Sequence, residues 1–115
     1  MKKEIGKKYD QEKPRWDLLP LNTVEDIVKV MTFGAKKYGD NNWKQVKPKQ
    51  RFFAAALRHL TAYQSGEIID KESGLPHLAH ALCSILFLHW HDNNPISSQW
   101  SFRIAVGIIR QIERG

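Results

Sequence analysis

A single cysteine, Cys83, leaves no pair for an internal disulfide and too few thiolates for a Cys-built zinc site. No apolar run reaches the ~20 residues that cross a bilayer. The longest, Ala79 to Leu88, is broken by His80, Cys83 and Ser84. No apolar segment follows the basic start Met1-Lys2-Lys3-Glu4, so no secretory signal is expected. Alternating strand patterns, internal repeats and low-complexity tracts are missing as well. With 42% hydrophobic residues in 115, the chain can fill one modest core and not two. The expectation is a single domain over residues 1–115, cytoplasmic and without membrane contact.

Positive charge is present, and only in one half. Residues 1–51 hold 13 Lys+Arg against 7 Asp+Glu, whereas residues 52–115 hold 5 against 5. The whole net charge of +6 therefore lies beside Trp16, Tyr38 and Trp43. Basic residues among aromatics suit a phosphate-bearing partner, either a free nucleotide or nucleic acid. A plain solvated lysine surface would have the same composition.

Helical punctuation organises the rest. Residues 1–20, basic and carrying Pro14 and Pro20, read as an extended arm. Asn22 or Thr23 can cap a first helix whose apolar face is Ile27, Val30, Met31 and Ala35, ending near Gly34 or Gly39. A turn-rich loop follows. A second helix is predicted from Gln50 to Ser65, burying Phe53, Ala56, Leu57, Leu60 and Ala62 and stopped by Gly66. Pro76 suits the first position of a third helix, mostly buried through Leu78, Ala81, Leu82, Ile85, Leu86 and Leu88. Ser97 or Ser98 can cap a last helix within residues 96–115, where Trp100, Ile104, Ile108 and Ile112 recur at helical spacing. The predicted fold is all-α, a small bundle of about four helices with a basic N-terminal arm.

Two familiar nucleotide motifs fail on inspection. Gly34 and Gly39 have the spacing of a phosphate loop, but Asp40-Asn41 follows where Lys-Ser/Thr is required. His91-Asp92 has the form of an HD phosphohydrolase pair, yet no further Asp lies downstream. A denser constellation runs from Arg58 to Ser84. His77, His80 and Ser84 fall at i, i+3 and i+7, and His59, Tyr63 and Glu67 at i, i+4 and i+8. Antiparallel packing of the second and third helices would bring the two stripes face to face. Glu67, Asp70 and Glu72 add three carboxylates beside them. Such a group suits Mg²⁺ or Mn²⁺ carrying substrate phosphates, with imidazole tilting toward the transition metal. The bland alternative is a pair of satisfied core histidines above a solvated acidic turn. Lys13, Arg15, Lys36, Lys37 and Arg58 are the candidates to hold phosphates, Arg58 from a helix expected to be buried.

Lys13-Pro14-Arg15-Trp16-Asp17-Leu18-Leu19-Pro20, Thr32-Phe33-Gly34-Ala35-Lys36-Lys37-Tyr38-Gly39 and Asn42-Trp43 resemble the dATP/dGTP diphosphohydrolase N-terminal family of bacteriophages. Arg58-His59-Leu60, Gly66-Glu67, Asp70, Glu72-Ser73-Gly74 and His77-Leu78-Ala79-His80-Ala81 extend the likeness in order. The resemblance implies a MazG-like all-α fold in the host cytoplasm. It also implies cleavage of a purine deoxynucleoside triphosphate to monophosphate and pyrophosphate. Glu67, Asp70, Glu72, His77 and His80 would then hold or serve a divalent metal. Lys13, Arg15, Trp16, Lys36, Lys37, Tyr38, Asn42, Trp43, Arg58, His59 and Ser84 would meet the nucleotide. The family pattern has Asn at the position of Ser84, and serine lacks the paired donor and acceptor of an amide.

Two other readings remain open. A phage sponge that sequesters a nucleotide signal would keep the basic and aromatic pocket without turnover. A nucleic-acid module would use the basic arm but leave the imidazole–carboxylate group without a purpose. The apolar positions of the last helix, and the dimers or larger assemblies typical of MazG-like folds, predict self-association.

Overall fold

The computed structural model describes residues 5–95. Three α-helices make up the architecture: α1 (Leu21–Tyr38), α2 (Gln50–Gln64) and α3 (His77–Asn93). Two short 3₁₀ turns, Trp16–Leu18 and Asn42–Gln45, precede α1 and α2. No strand occurs among the described residues, only an isolated bridge between Ile69 and Pro76. The predicted fourth helix lies outside them.

Prolines and glycines set the helix boundaries. α1 begins earlier than expected, with Pro20 rather than Asn22 or Thr23 at its cap. The Pro20 carbonyl accepts from the N–H groups of Thr23 and Val24, and proline itself has no N–H to leave unsatisfied. α1 runs past Gly34 and stops at Gly39, which has φ 99° and donates its N–H to the Ala35 carbonyl. Lys36 and Lys37 stand in that last turn, where cations suit the helix dipole. Gly66, at φ 103°, ends α2 in the same way. Pro76 is the cap of α3 rather than its first residue.

α3 is the central element, packed on α2 and on α1. α2 and α3 are antiparallel, because Lys49 meets Asp92, Phe52 meets His91 and His59 meets His77. The buried apolar residues are small: Ala56 of α2, Ala81 of α3, and Ala79 and Cys83 of α3, which cluster with Val30 of α1. Alanines let helix backbones approach closely, which displaces bulky neighbours to the flanks. Phe53, Leu57 and Leu60 of α2, expected to be buried, are therefore exposed, and so are Leu78, Leu82, Ile85 and Leu86 of α3. Burial also raises the Cys83 thiol to about 12, so it stays protonated.

The loop before α2 is pinned to α3. The Trp43 ring stacks on Phe87 at 4.2 Å between centroids, and Trp90 meets it edge-on. His91 is fully buried, and its Nε2 donates to the Trp43 carbonyl across 2.9 Å. Asp92 turns the other way to pair with Lys49 at 2.5 Å. The two residues of the His-Asp pair thus have separate structural partners.

Candidate functional site

The segment between α2 and α3 assembles the polar cluster. Asp70 N–H donates to the Leu75 carbonyl at 2.8 Å, and His77 N–H donates to the Ile68 carbonyl at 2.9 Å. These bonds fold residues 67–70 against residues 75–77. Asp70 Oδ2 accepts from the backbone N–H of Ser73 at 2.9 Å and from its hydroxyl at 2.8 Å. The loop is thereby locked around one carboxylate oxygen.

Three imidazoles meet at this point. His59 Nδ1 lies 2.8 Å from His77 Nδ1, and the His59 ring stacks on His80 at 4.5 Å with an interplanar angle of 12°. His80 Nε2 is 2.6 Å from Ser73 Oγ. The single hydroxyl proton of Ser73 goes to the Asp70 carboxylate, which can only accept, so His80 Nε2 must donate. That leaves His80 Nδ1 as a lone pair. Asp70 Oδ2 also lies 3.6 Å from His80 Nε2, and Glu67 Oε2 lies 3.5 Å from His77 Nε2.

Burial and neighbouring groups favour the neutral forms of His59 and His80 and the charged form of Asp70. Burial lowers the His59 pKa, with the neighbouring His80 and His77 adding to the effect. Burial likewise lowers His80, against the opposing pull of Asp70. For Asp70, burial raises the pKa but is outweighed by the two Ser73 hydrogen bonds and by the charges of His80 and His59, so the net direction is down. A neutral His59 beside an ionised Asp70 is the state a metal requires of such ligands.

His59, Asp70 and His77 can each offer one ligand atom, all within 4.8 Å of one another. Two nitrogens each ~2.1 Å from one ion would lie about 3.0–3.4 Å apart, from octahedral to tetrahedral angles. The observed Nδ1 to Nδ1 separation of 2.8 Å is slightly shorter, the distance of a shared proton, and a small outward shift of either ring would admit an ion. The donor set is therefore compatible with a divalent transition metal.

The predicted site residues separate into three groups. His59, Asp70, Glu72, His80 and the buried Ser84 line a cleft of about 1390 Å³, together with Lys37, Tyr38, Asn42, Trp43 and Arg58. His77 and Glu67 stand beside this cluster but do not line the cleft. Lys13, Arg15, Trp16 and Lys36 are exposed and lie outside it, with Arg15 paired to Asp17 and Trp16 77% exposed.

Several expectations are corrected in detail. Arg58 is exposed rather than buried, so it faces the cleft as a solvated cation. Glu67 lies beyond the end of α2, because Gly66 breaks the stripe that would have aligned it with His59 and Tyr63. Tyr63 belongs instead to a smaller apolar groove with Leu57, Leu60 and Leu78. Glu72 turns toward Lys37 and forms an ion pair with it, which raises the Lys37 pKa, while Asp70 faces the imidazoles. Trp43 has one face taken by Phe87. Ser73 and Arg51 were missed. The spacing of Ser73 three residues after Asp70 is the turn-forming pattern that could have found it. Arg51 lines the cleft from the first turn of α2, and no sequence signal separates it from other surface cations.

The family described as dATP/dGTP diphosphohydrolase, N-terminal, matches residues 3–99. A protein of Salmonella phage PMBT28 named dATP/dGTP diphosphohydrolase is 34% identical over 111 residues. The match covers 96% of this chain but only 38% of that relative. No solved structure matches the chain. The chain belongs to the dATP/dGTP diphosphohydrolase N-terminal family.

Proposed function

We propose that this chain hydrolyses purine deoxynucleoside triphosphates, dATP or dGTP, to monophosphate and pyrophosphate with Mg²⁺ or Mn²⁺. The observation that carries the reading is the His59/Asp70/His77 group beside a cleft that Lys37, Arg51, Arg58, Tyr38 and Trp43 also line. When bound there, the metal would polarise the phosphate chain and lower the pKa of a water. His59, Asp70 and His77 are the residues that would hold it. Lys37 and Arg58, with Arg51, would neutralise the charge that phosphoryl transfer spreads over the oxygens. Tyr38 and Asn42 sit at the same cleft and are placed to meet the base or sugar. His80 has its Nε2 proton engaged by Ser73 and a free Nδ1 lone pair, so it can orient a water by accepting its proton.

The chain covers about 38% of the phage relative's length, so the activity proposed is for this domain and not for the whole relative. A second reading, a nucleotide-binding protein without turnover, is favoured by one observation: Ser84 is buried at the cleft wall, where the family pattern has Asn. Incubation with dATP, dGTP, ATP and GTP, with Mg²⁺ or Mn²⁺, followed by separation of products tests both. Pyrophosphate and a deoxynucleoside monophosphate are expected. A nucleotide that binds tightly and is recovered intact would replace the enzymatic reading with the binding one.

A further inference from the structure

Glu67 carries the inference, which rests on the metal reading above. His77 Nε2 is buried and has no hydrogen-bond partner, while its Nδ1 lies 2.8 Å from His59 Nδ1. Two imidazole nitrogens that close must share either a proton or a cation. If they share a cation, both Nδ1 atoms present lone pairs, and the proton of neutral His77 has to reside on Nε2. A buried N–H then needs an acceptor, and the Glu67 carboxylate faces it at 3.5 Å.

The backbone makes this pairing specific. Gly66 at φ 103° turns the chain out of α2, and Glu67 N–H donates to the Ala62 carbonyl at 3.0 Å. The Ile68 carbonyl holds His77 N–H, which sets residues 67 and 77 side by side. The Glu67 side chain is 41% exposed against 6% for His77, so the carboxylate has room to close the remaining half ångström. Glu67 does not line the cleft and is not in the group of possible ligands.

We propose that Glu67 is a positioning residue: its carboxylate accepts the Nε2 proton of His77 and thereby holds Nδ1 toward the metal, without touching the metal itself. The reciprocal tautomer, with Nε2 bare, would set a lone pair against a carboxylate and is electrostatically excluded. Carboxylates acting on metal-bound histidine in this way change metal affinity by ~10–100-fold.

A double-mutant cycle on the full chain, read by calorimetric titration with Mn²⁺, tests the assignment. Glu67→Ala should weaken Mn²⁺ binding by ~10–100-fold. Glu67→Gln should weaken it less, because an amide oxygen can still accept the proton. In a His77→Gln background, removing Glu67 should have no further effect. An equal loss in both backgrounds would make Glu67 a direct ligand and overturn the proposal, as would no loss in either. Should His77→Gln fail to fold, nitrogen-15 NMR of the Zn²⁺-loaded wild type supplies the answer. A slowly exchanging His77 Nε2–H, lost in Glu67→Ala, is expected, and a protonated Nδ1 would refute it. Wild-type protein that takes up neither ion would overturn the metal reading itself, a result distinct from an additive cycle.

Discussion

Asp70→Asn separates the metal from the fold. Asp70 Oδ2 accepts both Ser73 hydrogen bonds, at 2.9 and 2.8 Å, and an asparagine side-chain oxygen can accept the same two donors. The change loses charge assistance, so metal-free stability should fall by only about 1 kcal/mol. Metal binding should fall far more, because the group would keep two neutral imidazoles and no anion. A ligand that binds only the native state at 100 times its Kd stabilises by ~2.7 kcal/mol. For a domain of this size each kcal/mol moves Tm by ~4–8 °C. Wild-type protein in excess Mn²⁺ should therefore melt on the order of 10–20 °C above the metal-free form. Asp70→Asn should show almost none of that gain. Differential scanning fluorimetry with and without Mn²⁺, after chelator treatment, measures both quantities. A variant that gains as much from Mn²⁺ as the wild type would remove Asp70 from the centre. A variant that collapses without metal would show its two hydrogen bonds to be worth more than the geometry implies.

Arg58→Ala should weaken triphosphate binding by about 1.5 kcal/mol at low salt and by less at high salt, the lower end for a charge-assisted bond because the guanidinium is solvated; calorimetry with a non-hydrolysable analogue reads it, and unchanged affinity removes Arg58 from the cleft. Acid should destabilise the metal-free protein in two stages. His59 and His80 are lowered from 6.5, so their contribution is whole above that pH and is lost as pH falls from it through the lowered folded values. Asp70 is lowered from 3.8, and its contribution is lost below that value. Denaturant titration across pH tests the sign, and stability that rises between pH 7 and pH 5 would contradict it. Self-association is proposed from Trp100, Ile104, Ile108 and Ile112, which lie outside the described residues, and from the exposed apolar faces of α2 and α3. Light scattering should give a multiple of 13.4 kDa, and Ile104→Asp with Ile108→Asp a smaller species. A wild-type mass near 13.4 kDa at micromolar concentration would refute the proposal.

The elements most legible in the sequence are those fixed by local chemistry. Gly39, Gly66 and Pro76 each act within a few residues, and helices end or begin beside all three, whereas Pro20, read as part of the arm, is the cap of α1 in place of Asn22 or Thr23. The meeting of His59 with His77 was legible too, since helical spacing and antiparallel packing together leave little freedom. Burial was not, because it depends on how closely two backbones approach. Ala56, Ala79 and Ala81 decide that distance, and the large side chains expected inside are left at the flanks.

The roles of the three carboxylates were the least legible part, for a related reason. Glu67, Asp70 and Glu72 are equivalent in composition and nearly so in position, yet each acquires a different partner: His77, Ser73 with His80, and Lys37. A change of direction at Gly66 and one turn closed by Ser73 are enough to divide them. Chemistry at this cluster is therefore set by the loop between α2 and α3 as much as by the helices. Ser73→Ala leaves every cationic and imidazole group in place but removes the hydroxyl that bridges Asp70 and His80. It should consequently lower turnover while leaving nucleotide affinity within about threefold, because the residues proposed to grip phosphate lie on α1 and α2. Steady-state kinetics beside calorimetry reads the two effects apart. Equal losses in turnover and affinity would show that the loop shapes the whole cleft and not the metal group alone.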